Sequence, residues 1–207
     1  MLMRILELLS GTGSVGTVAS TMGYMVVSVD RDMEATCKCD IMDWDYKKYP
    51  SKYFDVIWAS PPCTEYSRAL TTRPRDIEAA NKIVQQTLDI IEYFEPKYFM
   101  IENPQSGLLK DQTIMWGIPF KDIDYCKYGM PHRKRTRIWN NVLKWIPRPL
   151  CNKDCGNVVD SKHVASAQRG PSGKRETWAN QPRFTLHELC RVPHDLTHEL
   201  LSACITV

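Results

Sequence analysis

Short apolar runs alternate with amphipathic stretches over the first hundred residues. Arg4 to Leu9 (RILELL) and Met25 to Asp30 (MVVSVD) read as strands, and a helix starting near Ser14 joins them in a βαβ opening. Tyr53 to Ala59 and Tyr98 to Glu102 are nearly all apolar, the pattern of parallel strands buried on both faces. Between them Ile77, Ala80, Val84, Leu88 and Ile91 recur at spacings of three and four behind a capping Asp76, which predicts a helix with one apolar face. The alternation predicts an α/β fold, a doubly wound Rossmann-like sheet with its functional loops at the C-terminal ends of the strands. Past about Pro147 the periodicity fades into a polar stretch, read as irregular. Beyond Pro193, the residues Leu196, Leu200, Leu201 and Cys204 share one helical face, so this segment is expected to pack back on the core.

Composition narrows this reading. A chain of 207 residues that is 43% hydrophobic can bury one real core, with little left for a second domain. No stretch approaches the roughly 20 apolar residues of a membrane span, and MLMRILELLSGTGS has no small-residue cleavage site before its glycines. A soluble protein of the cytoplasm, or of the nucleus in a eukaryote, is expected, with its eight cysteines reduced and serving as catalytic, metal-binding or buried thiols. Net charge is only +3, but it is unevenly spread: from Tyr125 to Lys153 there is no Asp or Glu. That segment holds Lys127, Arg133, Lys134, Arg135, Arg137, Lys144, Arg148 and Lys153, interleaved with Tyr128, Trp139 and Trp145. Such a field suits a phosphate backbone, and equally a solvated face.

Gly11-Thr12-Gly13-Ser14-Val15-Gly16 matches G-x-G-x-x-G between a strand and a helix, and Asp30 closes the next strand 19 residues after Gly11. Glycines there let backbone approach a ligand, and the acid suits ribose hydroxyls. The pattern points to a nucleoside-containing cofactor without choosing between a nicotinamide dinucleotide and S-adenosylmethionine; a tight turn with no ligand is the plain alternative. Glu7, inside an apolar strand, needs a partner, which the ammonium or sulfonium end of S-adenosylmethionine would supply. Cys39-Asp40-Ile41, at the expected end of the third strand, offers Asp40 and a backbone amide to an adenine ring, although Asp40 equally suits a turn or helix cap.

Two strand exits carry the chemistry. Ser60-Pro61-Pro62-Cys63 follows one apolar run, and Glu102-Asn103-Pro104 ends another. Together with LELLSGTGSVG and Tyr128-Gly129-Met130-Pro131-His132-Arg133-Lys134-Arg135-Thr136-Arg137-Ile138-Trp139, they resemble in order and spacing the motifs of the DNA (cytosine-5) methyltransferases. The resemblance covers about residues 4–140, with a fainter echo at Arg191-Val192-Pro193, and its compactness is that of viral or phage members. It implies S-adenosylmethionine as methyl donor and double-stranded DNA with a flipped cytosine as substrate. Cytosine C5 is a poor nucleophile, so a thiolate must add to C6 first; the resemblance gives that role to Cys63 and the contact with N3 to Glu102. It gives O2 to Arg137, and support of the cysteine loop or a phosphate to Arg135, with guanidinium charge lowering the thiol pKa. Cofactor contacts are implied at Glu7, Leu8, Ser10, Gly11, Gly13, Val15, Gly16, Asp30, Arg31, Asp40, Ile41 and Pro61.

The chain departs from the family's pattern in three places. Pro104 stands where valine is usual, and His132-Arg133 replaces a glutamine with one extra residue, which bears on how Arg135 and Arg137 pair with the family's arginines. The expected organisation is a catalytic domain over residues 1–146, a reduced target-recognition insert over 147–191 and a C-terminal helix over 192–207. So short an insert leaves room for a second subunit, a homodimer, to complete recognition. Cys151-x3-Cys155 and His163, with Cys126 and Cys190 as further ligands, suggest a zinc clip for a segment too small for its own core, against the default of free loop cysteines. The alternatives are an RNA (tRNA) cytosine-5 methyltransferase, a non-catalytic cofactor- or DNA-binding module, and a nicotinamide-dependent oxidoreductase. The last leaves Cys63 and Glu102 unexplained.

Overall fold

The computed structural model describes residues 2–166 and 184–205; the centre of the expected insert lies outside the described residues. Five parallel strands come first in the chain: β1 (Arg4–Leu8), β2 (Met25–Asp30), β3 (Cys37–Lys38), β4 (Val56–Ala59) and β5 (Tyr98–Pro104). Between them run α1 (Ser14–Thr21) and α2 (Ile77–Phe94), the latter capped by the Asp76 carboxylate accepting from the Ala79 amide. Then β6 (Phe120–Asp124), β7 (His132–Arg133) and β8 (Arg135–Asn140) follow; β8 pairs antiparallel with β5 and β6. The seven-stranded order is β3-β2-β1-β4-β5-β8-β6. Chain direction across the sheet reverses at β1, so the loops leaving β1 and β4 face each other across the switch point, where open α/β sheets bind ligands.

Alternation along the strands sorts the core onto two faces. Leu6, Leu8, Ile57, Ala59, Ile101 and Trp139 pack with Val84, Ile90 and Phe94 of α2. On the other face Ile5, Val56, Trp58, Met100 and Ile138 pack with Val15 and Ala19 of α1 and with Leu196, Leu200 and Leu201 of the last helix. That helix, α4 (His194–Ala203), follows a five-residue α3 (Leu186–Cys190). Ser14 Oγ accepts from the Val192 amide at 3.0 Å, fastening the approach to α4 onto the start of α1.

The expected irregular stretch after Pro147 is better ordered than its sequence pattern predicts. β9 (Val158–Val159) pairs antiparallel with β10 (Lys162–His163), and β11 (Ala165–Ser166) pairs parallel with β7. Arg148 donates to the Lys127 carbonyl at 2.7 Å and to Glu199 Oε2 at 3.1 Å, and its amide donates to Tyr128 Oη. These bonds carry no hydrophobic periodicity, which is why the pattern misses them. Among the described residues no helix is long and apolar enough to cross a membrane.

One contact fixes the βαβ corner. A Cβ at Gly16 would stand 2.6 Å from Glu7 Oε2 and 3.1 Å from Val26 Cγ1, with the carboxylate already held in place. Gly16→Ala is therefore expected to lower unfolding free energy by about 1–3 kcal/mol in a urea titration, by forcing a packed strand and helix apart.

Candidate active site

The first wall of the site is the turn between β1 and α1. Gly13 caps α1 in the left-handed region at φ 64°, where a side chain is strained, and a Cβ built on it or on Gly11 would meet nothing within 4 Å. Gly11 N donates to Asp30 Oδ2 at 2.7 Å, while Asp30 Oδ1 accepts from the Asp32 and Met33 amides, so the acid at the end of β2 organises both loops. The partner that the sequence reading sought for Glu7 in a cationic ligand is supplied by the chain itself. Glu7 Oε2 accepts from Gly16 N at 2.9 Å and Oε1 from Val15 N at 3.3 Å, at the positive end of α1. Burial nevertheless dominates, raising its pKa to about 7 against those two amides, with the Asp30 charge adding to the rise.

The residues of this turn fit a polar ligand. The buried hydroxyls of Ser10 and Thr12 have no hydrogen-bond partner, an arrangement that calls for one. Asp40 and Ile41 lie just past β3, and Asp40 caps a turn through the Met42 amide while pairing with the exposed Arg31. Ile41 is buried in the core, as are Leu8 and Val15 on the strand and helix flanking the turn. Arg31 also lines, with Pro62, Thr64, Glu65 and Ala79, a cavity of about 400 Å³ between the switch point and α2.

The second wall brings Cys63 and Glu102 to one face. The loop after β4 is tied down at Ser60, whose amide donates to the Leu8 carbonyl, and at the buried Pro61, whose carbonyl accepts from Asn103 Nδ2 at 2.8 Å. Asn103 is wholly buried, and its side chain points to the opposite face of β5 from its neighbour Glu102. Glu102 is buried, accepts from Tyr125 Oη at 2.7 Å and stands 3.6 Å from Lys134 Nζ. Burial, then the Glu102 charge, holds the Tyr125 hydroxyl well above its ordinary pKa, so it remains a donor.

Cys63 is exposed. Desolvation raises its thiol pKa; Lys134 lowers it, and Glu102 and Cys190 raise it, leaving a net upward shift. This corrects the expectation of a thiol acidified by guanidinium: the cation within reach is an ammonium.

Arg135 and Arg137 are elsewhere. Asn103 is the register partner of Arg137 and Glu102 that of Ile138, so the two arginines lie on the α2 face while Glu102 lies on the α1 face. Each is bound bidentately: Arg135 Nε and Nη2 to Asp124 at 3.0 and 2.7 Å, Arg137 Nε and Nη2 to Asp122 at 2.7 and 2.9 Å, with the Arg137 guanidinium 3.5 Å above the Phe120 ring. The extra residue after Pro131 leaves Lys134, just before β8, as the side chain that reaches Glu102. The basic field is largely answered as well: Lys127 pairs with Asp154, Arg133 with Asp124, and Arg148 with Asp195 and Glu199. The acids come from outside the acid-free window, which is why counting within it overstated the charge.

Sequence reasoning missed Tyr125, Asn103 and Lys134. Asn103 had a signal, since an amide next to an inward acid on a buried strand must face the other layer. Tyr125 had none. Of the cysteines, Cys126, Cys151 and Cys155 meet His163, while Cys190 lies on α3 within electrostatic reach of Cys63.

A mostly parallel sheet whose switch point faces a glycine turn on one side and a cysteine loop beside a buried carboxyl on the other is the arrangement of a group-transfer enzyme. The family model for C-5 cytosine-specific DNA methylases matches residues 3–138, and the chain belongs to that family. It is 33% identical over 224 aligned residues to the "Probable DNA (cytosine-5)-methyltransferase" of Frog virus 3 (isolate Goorha), covering 98% of this chain and all of that one. It is also 24% identical to the type II methyltransferase M.AgeI of Thalassovita gelatinovora, across 66% of this chain and 39% of the relative. The solved structure of the Entamoeba histolytica methyltransferase EhMeth superposes with a TM-score of 0.54 at 18% identity, over 72% of this chain and 56% of that one, a likeness of fold.

Glu7 gives this half of the site a pH signature. Its carboxyl titrates near 4.5 when unfolded and near 7 when folded, so both states hold the proton below 4.5 and only the unfolded state releases it between the two values. Stability is therefore expected to fall as pH rises from 4.5 to 7, by on the order of 3 kcal/mol at about 1.4 kcal/mol per pKa unit. Urea titrations across that range should show the slope in the wild type and its loss in Glu7→Gln.

Proposed function

We propose that the protein transfers a methyl group to C5 of a cytosine flipped out of double-stranded DNA, through a covalent bond between Cys63 and C6. The observation that carries this reading is the convergence of the Cys63 loop and Glu102 on one face at the switch point, beside the glycine turn. S-adenosylmethionine, when bound, supplies an electrophilic methyl on a sulfonium. Ser10 and Thr12, the turn of Gly11 and Gly13, and Asp30 with Arg31 and Asp40 are the residues that would hold it, the first two by the hydroxyls they leave unpaired.

Cys63 Sγ would give its proton to water and add to C6, moving the C5=C6 electron pair onto C5; the cofactor, when bound, would supply the methyl to C5, its sulfur leaving as a neutral thioether. Loss of the C5 proton to a water molecule then expels Cys63 Sγ from C6 and restores the double bond. Glu102 would meet N3 and the exocyclic amine, where charge changes during addition; the bond from Tyr125 Oη, which holds its carboxyl in one orientation, supports that role. Lys134, rather than Arg137, is the cation beside Glu102 and Cys63: it stabilises the thiolate and the charge that develops on the ring. The Arg137 pair with Asp122 supports the strand instead. Asn103 is a positioning residue, acting through the Pro61 carbonyl on the loop that presents Cys63.

Labelled S-adenosylmethionine with cytosine-containing duplex DNA should give transfer by the wild type and none by Cys63→Ala, and DNA carrying 5-fluorocytosine should trap a covalent adduct on Cys63. Transfer to structured RNA but not to DNA would move the substrate while keeping the chemistry; equal transfer by Cys63→Ala would overturn the reading. Lys134→Met is expected to lower turnover about 100-fold and to move the pH midpoint of Cys63 alkylation upward, read by peptide mapping. Arg137→Met should leave that midpoint in place.

A further inference from the structure

Four ligand atoms converge outside the active site. The sulfurs of Cys126, Cys151 and Cys155 and a ring nitrogen of His163 all lie within 4.8 Å of one another, with Cys126 and Cys151 buried. His163 Nε2 is 3.5 Å from Cys151 Sγ and 3.4 Å from Cys155 Sγ, and none of the three cysteines is in a disulfide. Tetrahedral bonds of about 2.3 Å to sulfur and about 2.0 Å to nitrogen place neighbouring ligand atoms roughly 3.5–3.8 Å apart. The four side chains thus already stand close to the vertices of such a tetrahedron.

We propose that Cys126, Cys151, Cys155 and His163 bind one zinc ion in a closed structural site. Three soft thiolates and an imidazole, with no vertex left for water, select zinc over the hard cations, and a closed shell leaves no catalytic position. Binding converts the thiols to thiolates and releases their protons to solvent; no electrons move.

Each ligand comes from a piece of chain with little of its own to hold it. Cys126 lies on the turn Tyr125–Tyr128, Cys151 and Cys155 on a loop with left-handed residues at Lys153 and Gly156, and His163 on the two-residue β10. The ion would join the stretch after Pro147 to the turn that carries Tyr125. A link to the arginine strand is already present: Cys151 N donates to Asp124 Oδ2 at 2.9 Å, on the carboxylate that binds Arg135. The site therefore buttresses both the Tyr125 donor to Glu102 and the Asp124 anchor of β8. It depends on no assumption about the reaction.

The test uses the full chain, purified with reductant and then reconstituted with zinc before exhaustive dialysis. One equivalent of zinc by elemental mass spectrometry is expected, near zero in His163→Ala and Cys155→Ser, and one still in Cys190→Ser, whose cysteine lies outside the cluster. Cobalt loaded into the metal-free wild type should give tetrahedral ligand-field bands with thiolate charge-transfer absorption, a readout that needs no variant to fold. Zinc well below one equivalent after reconstitution, an octahedral cobalt spectrum, or full retention in both ligand variants would overturn the proposal. So would a disulfide among Cys126, Cys151 and Cys155 in protein kept under reductant.

Discussion

The fold turns on a buried carboxylate. Glu7 sits in the middle of an apolar strand, and its two oxygens are received by the first amides of α1. An unpaired carboxyl there would cost several kcal/mol; paired as it is, it locks β1 to α1 at one angle and leaves no room for a Cβ at position 16 without a shift. Everything at the switch point inherits that angle. The glycine turn is held between Glu7 on one side and Asp30 on the other, and the hydroxyls of Ser10 and Thr12 are left as the polar groups without an internal partner.

A second pair of acids does for the far side of the sheet what Glu7 does for the near side. Asp122 and Asp124 sit two residues apart on β6 and take one arginine each from β8 in bidentate geometry. Asp124 is buried; burial works to raise its pKa, but Arg135, the Cys151 amide and Arg133 hold it below the ordinary value. These pairs pin the register of two antiparallel strands, and register decides chemistry here. Because side chains alternate across a strand, the pairing of Glu102 with Ile138 places Glu102 and Lys134 in one compartment and both arginines in the other.

The parallel half of the sheet was legible because buried strands and an amphipathic helix write their period into the chain: β1, β2, β4, β5 and α2 fall where the apolar runs and the Asp76 cap put them. Cys63 and Glu102 were legible as a pair because each follows such a run. The arginines were not, since a motif counted along the chain says nothing about which face of a strand a residue occupies. After Pro147 the convergence of Cys126, Cys151 and Cys155 with His163 was legible from residue type and spacing, with Cys190 falling outside it, but the bonds of Arg148 and the pair of Asp154 with Lys127 were not. Polar contacts between distant residues leave no periodicity to read.

The bond from the Val192 amide to Ser14 and the packing of α4 on α1 join positions some 178 residues apart. Contacts this distant in sequence close last, after most of the loop entropy has been lost, and topologies rich in them fold slowly. On the ribosome the strand–turn–helix corner emerges early, yet the apolar side of α1 stays uncovered until residues 192–204 have been made. During synthesis that face is open to chaperones, or to the same face of another nascent chain. Burial of the apolar side of α1 thereby waits on translation of α4.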